Sequence, residues 1–338
     1  MSLFLSTLNQ MGVLGAYMVI GFVIAKLGVV DKSSTKILSK LENTIFLPAL
    51  VLYTFIQNFN LATLSESWQI LLFSLGVELV IIPIAILSAK LASKDGFIRR
   101  MYTYGLCFSN FGFMGNAVVQ SLFSATFYQS YIIFTLPLWT IIYIWGVPNL
   151  LIEKEESALG ALENGESKKD KFLKSIKPLL NPMFVALLIG AVIGITGLGK
   201  ILLNLNDGKG IFITQVIKVC GDCMSPIAMI MTGITFAFID IKKVLGDISI
   251  YAVTILRLLL YPIVLGGIAY LVSTFIVPIN DTIFKCFVIS LAMPLGLNTI
   301  VIPAAYGRDT SVPAGMALVS HALSIATIPL IMMIFGIG

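Results

Sequence analysis

Charge is scarce in this sequence. Of its 338 residues, 12% are Asp, Glu, Lys or Arg and 58% are hydrophobic. Mean hydropathy is +0.98. A soluble domain of this size needs far more charge to cover its surface. Histidine is limited to His321, and cysteine to Cys107, Cys220, Cys223 and Cys286. Cys220 and Cys223 form a CxxC, but no second CxxC or clustered histidine accompanies it, so they read as small apolar helix residues and no metal site is expected. GxSxG, HExxH and GxxxxGK[ST] do not occur. Hydrolysis by those motifs and nucleotide-driven transport on this chain are thereby excluded, and no cofactor is expected. The formal charge of +5 sits in short loops without an aromatic-interleaved basic face, which argues against a nucleic-acid partner.

Long apolar runs are abundant. Ten segments run near 10–30, 37–58, 68–92, 99–123, 127–150, 178–198, 212–238, 246–274, 283–305 and 311–336. Each is long enough to span hydrocarbon, which takes about 20 residues per helix. No lysine or arginine precedes Lys26, so the first run lacks the basic start of a cleavable leader and is expected to remain a membrane helix. The odd-numbered loops with their helix ends hold 17 basic residues, and the opposite side holds only Lys200, Lys209, Lys218 and Lys285. This bias predicts cytoplasmic odd loops and both termini outside. The polar stretch 151–177 carries both charge signs and reads as a cytoplasmic linker between two five-helix halves.

The halves carry matched landmarks. Gly21 and Gly28 correspond to Gly190 and Gly197 at an offset of 169, and Pro48 to Pro226 at 178. Glu78 stands five residues before Pro83, as Arg257 does before Pro262, at 179; Asn116 matches Asn298 at 182. An odd number of spans per half forces the second half to insert upside down, which is the inverted-repeat plan of many secondary transporters. The expected architecture is an all-α polytopic membrane protein of ten helices in a 5+5 inverted repeat.

Segments 4 and 9 contain SNFGFMGNAVVQ (109–120) and AMPLGLNTIVIP (292–303). Gly112, Gly115, Pro294 and Gly296 weaken or interrupt a helix in mid-membrane. Two broken helices that cross leave half-helix N-termini, which favour anions, and carbonyl ends, which favour cations. Asn110, Asn116, Asn298 and Thr299 add neutral donors and acceptors. The simpler alternative is close packing at the glycines and hydrogen bonds across helices from the asparagines. Glu78 and Arg257 are intramembrane charges, costly unless paired or used in transport, and their matched positions predict proximity. Either a structural ion pair or a role for Glu78 with a coupling proton and for Arg257 with an anion fits the pattern. His321 suits proton coupling or a buried hydrogen bond. Gly221-Asp222 is similar to part of an aspartyl protease motif, but Val219 breaks GxGD and no second catalytic aspartate is evident.

Taken together, LPALVLYTF (47–55), SNFGFMGN (109–116), RLLLYP (257–262), AMPLGLNTIVIPAAYG (292–307) and TIPLIMMI (327–334) resemble the auxin efflux carrier family. The resemblance covers nearly the whole chain. It implies a sodium/proton-antiporter-like fold with crossed broken helices 4 and 9. It further implies scaffold helices 1–2 (residues 1–62) and 6–7 (178–244), and a mobile transport domain of helices 3–5 (63–150) and 8–10 (245–338). A homodimer in the cytoplasmic membrane, an elevator motion and small organic anion substrates such as auxin, malate or malonate are also implied. Asn110, Gly115, Pro294 and Gly296 match the family's crossover residues; Ala117 and Thr299 replace prolines, and the long loop of the plant carriers is missing, which fits a bacterial-type member. The expected function is secondary transport of a small carboxylate coupled to a proton, to sodium or to no ion, with lipid as the surrounding partner. A passive anion channel or a sensor that binds without transport is the alternative.

Overall fold

The computed structural model describes residues 3–151, 182–204, 212–238, 246–305, 308 and 310–337. The 151–177 linker expected from sequence falls, from residue 152 onward, outside the described residues. Among the described residues all regular structure is helical. In chain order these are α1 (Leu3–Lys26), α2 (34–58), α3 (Leu61–Ala92), α4 (Gly96–Cys107), α5 (111–122), α6 (125–151), α7 (Pro182–Ile195), α8 (Leu198–Asn204), α9 (212–238), α10 (248–275), α11 (Asp281–Ala292), α12 (Asn298–Ala305) and α13 (Ser311–Ile334).

Among the described residues six helices are long and apolar enough to cross a membrane: Leu8–Lys26, Trp68–Ala92, Thr126–Leu150, Phe212–Phe238, Ile248–Phe275 and Ser311–Ile334. The remaining four expected segments fall short for identifiable reasons. Segments 4 and 9 are each broken into two helices. Segment 6, α7, is described only from Pro182, and segment 2, within α2, begins among charged residues. Large apolar side chains such as Leu79, Leu87, Leu91, Ile268 and Phe275 lie exposed on the outer faces. Such a surface is stable against lipid and costly against water.

Proline shapes these helices in a repeated way. The π-helical turns Glu42–Phe46 in α2, Ile142–Gly146 in α6 and Leu256–Leu260 in α10 each end two residues before a proline, at Pro48, Pro148 and Pro262. Proline lacks an N–H and its ring crowds the carbonyl four residues back. A widened turn just upstream takes up that crowding without ending the helix.

Glycine governs how helices meet. Gly21 on α1 lies on the Ile230 carbonyl of α9, and Gly233 on α9 lies on the Met18 carbonyl of α1. Gly190 and Gly194 on α7 lie against Leu52 and Phe55 of α2 and Phe59 just beyond its end. A side chain at any of these glycines would overlap backbone or Cβ atoms of the partner, so the close α1–α9 and α2–α7 approaches require them. Gly28 and Gly197, with φ of 73° and 75°, follow α1 and α7 at corresponding places. That left-handed conformation closes a helix end and is open to glycine at little cost.

Candidate functional site

The centre of the molecule is the crossing of two interrupted helices. Asp95 caps α4, accepting from the amides of Phe97 and Ile98 at 2.8 and 3.0 Å. From Met101 to Cys107 every residue of α4 is buried. The chain then extends through Phe108 and Ser109 before α5 begins. Its counterpart extends from Met293 to Leu297, between α11 and α12. The two extended pieces meet antiparallel, with Ser109 opposite Leu295. The Asn110 amide donates to the Pro294 carbonyl at 2.8 Å, and the Gly296 amide to the Phe108 carbonyl at 3.2 Å. Each break thus satisfies the other, as backbone at membrane depth requires. A Cβ on Gly296 would stand 2.9 Å from the Phe108 oxygen, so the crossing is tight enough to exclude a side chain there.

Asn110 has both ends of its amide engaged. Its Oδ1 accepts from the Met114 amide at 3.3 Å, capping α5, and its Nδ2 lies 3.0 Å from Nε2 of His321. His321 Nδ1 lies 2.8 Å from the Ala317 carbonyl, which can only accept. Nδ1 therefore carries the proton, and Nε2 accepts from Asn110. His321 on α13 orients Asn110 from behind through this hydrogen bond. Thr299 is similarly committed: its hydroxyl donates to the Gly296 carbonyl at 2.7 Å.

Asn298 differs. It opens α12, is 5% exposed, and its Oδ1 has no hydrogen-bond partner. It borders a small cavity walled by Tyr104, Phe108, Phe111, Gly112, Trp139 and Gly296. Phe111 and Trp139 meet edge to face at 5.1 Å. Asn116, half-buried at the start of the regular part of α5, also has an Oδ1 without a partner. Gly112 and Gly115 lie against Trp139 and the Tyr131 hydroxyl, so both glycines make room for aromatic side chains of α6.

Glu78 on α3 and Arg257 in the π-turn of α10 line a second small cavity with Cys107, Ser109 and Ser290. Both are 2% exposed. No direct ion pair joins them. Instead, Arg257 donates to the carbonyl of Leu106 at 2.9 Å and of Ser290 at 3.4 Å. Ser109 adds a hydrogen bond of 2.7 Å to the same Ser290 carbonyl. Leu106 and Ser290 lie in the last turns of α4 and α11, where helix carbonyls lack intrahelical partners and the dipole is negative. One guanidinium thus serves both carbonyl ends of the crossing. Arg257 thus faces backbone oxygens of the two half-helices.

Sequence reasoning passed over Ser109, Ser290 and Glu42. The serines are ordinary in apolar helices and carry no spacing signal. Glu42 did carry one, as a carboxylate inside an apolar segment; it is fully buried in the π-turn of α2, with neither oxygen hydrogen-bonded.

A sheath of apolar helices around two mutually satisfied breaks and a few buried polar groups defines a multi-pass integral membrane protein. The chain belongs to the membrane transport protein family, that of the auxin efflux carriers, whose model matches residues 13–332. Members of this family are membrane transporters and not enzymes. No curated protein matches the chain.

Proposed function

We propose that this protein is a secondary transporter of a small organic carboxylate, with ten spans arranged as two inverted halves around the crossing. Several paired features support the repeat. Gly28 and Gly197 close corresponding helices in the same left-handed conformation. The α1–α9 and α2–α7 pairs are each sealed by glycines, Gly21 with Gly233 and Gly190 with Gly194. In this reading α1, α2, α7 and α9 form the scaffold (residues 1–62 and 178–244), through which two copies pair. The transport domain holds 63–150 and 245–338, and 151–177 is the cytoplasmic linker. The scaffold stays fixed while the other helices carry substrate across the cytoplasmic membrane in an elevator motion, with both termini outside.

The observation that carries the substrate reading is the buried amide of Asn298, unpartnered at Oδ1 and set at the N-terminal end of α12 beside an aromatic-walled cavity. An amide can turn to present its NH2 to an anion, and a helix N-terminus adds unpaired N–H groups. Aromatic walls exclude water and strengthen both. Asn110, Gly112, Gly115, Asn116, Pro294, Gly296 and Thr299 complete the proposed site, mostly by shaping it.

The test is uptake of radiolabelled malonate and malate into proteoliposomes at two pH values, with and without sodium. Saturable uptake is expected. Loss of one charge-assisted hydrogen bond costs about 1.5–3 kcal/mol, so Asn298→Ala should lower kcat/KM by roughly ten- to a hundredfold. Asn110→Ala should slow uptake too, because it releases the α5 cap. Wild-type rates in both variants would sink the site assignment. Flux without saturation or uphill movement identifies a passive channel, and tight binding without flux identifies a sensor.

A further inference from the structure

Outside the crossing, one acidic side chain is buried without any visible reason to be there. Glu42 in α2 is completely shielded, and both of its carboxyl oxygens lack hydrogen-bond partners. Its π-turn packs against α7, α9 and α12. On α12 and α7 the sequence supplies no ionisable side chain toward it. On α9, Lys218 and Asp222 bind each other at 2.6 Å and stay half-exposed, and Cys220 and Cys223 are free, partly buried cysteines. On α2 itself Lys36 and Lys40 are exposed and Tyr53 is partly buried. Among the described residues no cation stands beside this carboxyl group, and a buried carboxylate ion without a counter-charge is costly in an apolar segment.

The flanking residues show what covers it. Ser39 and Asn43 lie three residues before and one after Glu42, on one side of α2. The Ser39 hydroxyl donates to the Val301 carbonyl of α12, and the Asn43 amide reaches the same carbonyl at 3.4 Å. Val301 lies one turn after Asn298 on that helix. A wall beside Glu42 is therefore the half-helix that carries the proposed substrate amide, and two polar contacts to one carbonyl join it to α2.

We propose that Glu42 is a proton-binding site at the α2–α12 interface that couples proton movement to transport. When α12 slides along α2, the Val301 contacts break and water reaches the carboxyl group. The O–H bond breaks and the proton passes to that water; on return, a proton from water on the facing side re-forms the O–H bond before α12 closes over it. This deepens the elevator reading above and rests on it.

Two measurements test it separately. First, the wild-type protein is treated with dicyclohexylcarbodiimide, an apolar reagent to which a protonated carboxyl adds, and the adduct is located by mass spectrometry. Labelling at Glu42 that rises as pH falls is expected; label absent from Glu42 overturns the proton site. Second, malonate uptake into proteoliposomes is compared with and without an inward proton gradient. The wild-type ratio should exceed one severalfold, and Glu42→Gln, which keeps the size and neutrality of the acid, should bring the ratio to about one. A wild-type ratio of one, or an unchanged ratio in Glu42→Gln, overturns the coupling. Wild-type protein that takes up no malonate or malate at any pH sinks the carboxylate reading instead, and the labelling result then decides the proton site alone.

Discussion

At the scale of single residues, the polar groups of this protein divide into those already committed and those left open. Ser109, Thr299, His321, Asn110 and the two terminal nitrogens of Arg257 spend their hydrogen bonds on backbone or on one another, while Nε of Arg257 has no partner. Asn298, Asn116 and Glu42 each keep an oxygen without a partner. Arg257→Leu removes the donor from two buried carbonyls and leaves Glu78 without its nearest positive charge. Breaking such a buried arrangement costs on the order of 3 kcal/mol. Thermal unfolding in detergent should therefore fall clearly for Arg257→Leu and less for Arg257→Lys, whose ammonium still donates. A direct substrate role predicts another pattern, with KM raised and the unfolding temperature unchanged. The sequence located Arg257 by its charge inside an apolar run, but its choice between carboxylate, anion and carbonyl depends on which groups the fold brings within 3 Å.

At the scale of the element, breaks and glycines do the shaping. The SNFGFMGN and AMPLGLNT stretches showed where two helices stop, because glycine and proline act through the local chain. The π-turns ahead of Pro48, Pro148 and Pro262 were less legible, since proline within a helix can also kink it or be absorbed, as Pro83 is within α3. Gly296→Ala is expected to disrupt the crossing, with its new Cβ set against the Phe108 and Ser109 oxygens. Gly267→Ala serves as the control, because open space surrounds that position on α10. Size-exclusion profiles of the two variants should show loss of the monodisperse peak in the first alone. Equal profiles would mean that the crossing is looser than its geometry indicates.

At the scale of the whole molecule, the question is which bodies move. Ser39 on α2 and Val301 on α12 touch across the proposed boundary between scaffold and transport domain. In a background with the four native cysteines replaced, Ser39→Cys with Val301→Cys should cross-link on oxidation and stop malonate uptake, and reduction should restore it. Full uptake in the cross-linked protein would exclude sliding at that boundary. Composition and hydropathy alone determined that this chain lives in lipid, because 12% charge cannot clothe a soluble surface of this size. The order of Gly, Pro and Asn landmarks determined where helices end and break, since those residues act through their own backbone. Only the tertiary structure decided which polar groups are spent and which are left open. Whether the amide of Asn110 is held by His321, or the acid of Glu42 is left alone behind Val301, depends on contacts between residues more than 200 positions apart, and no local pattern encodes them.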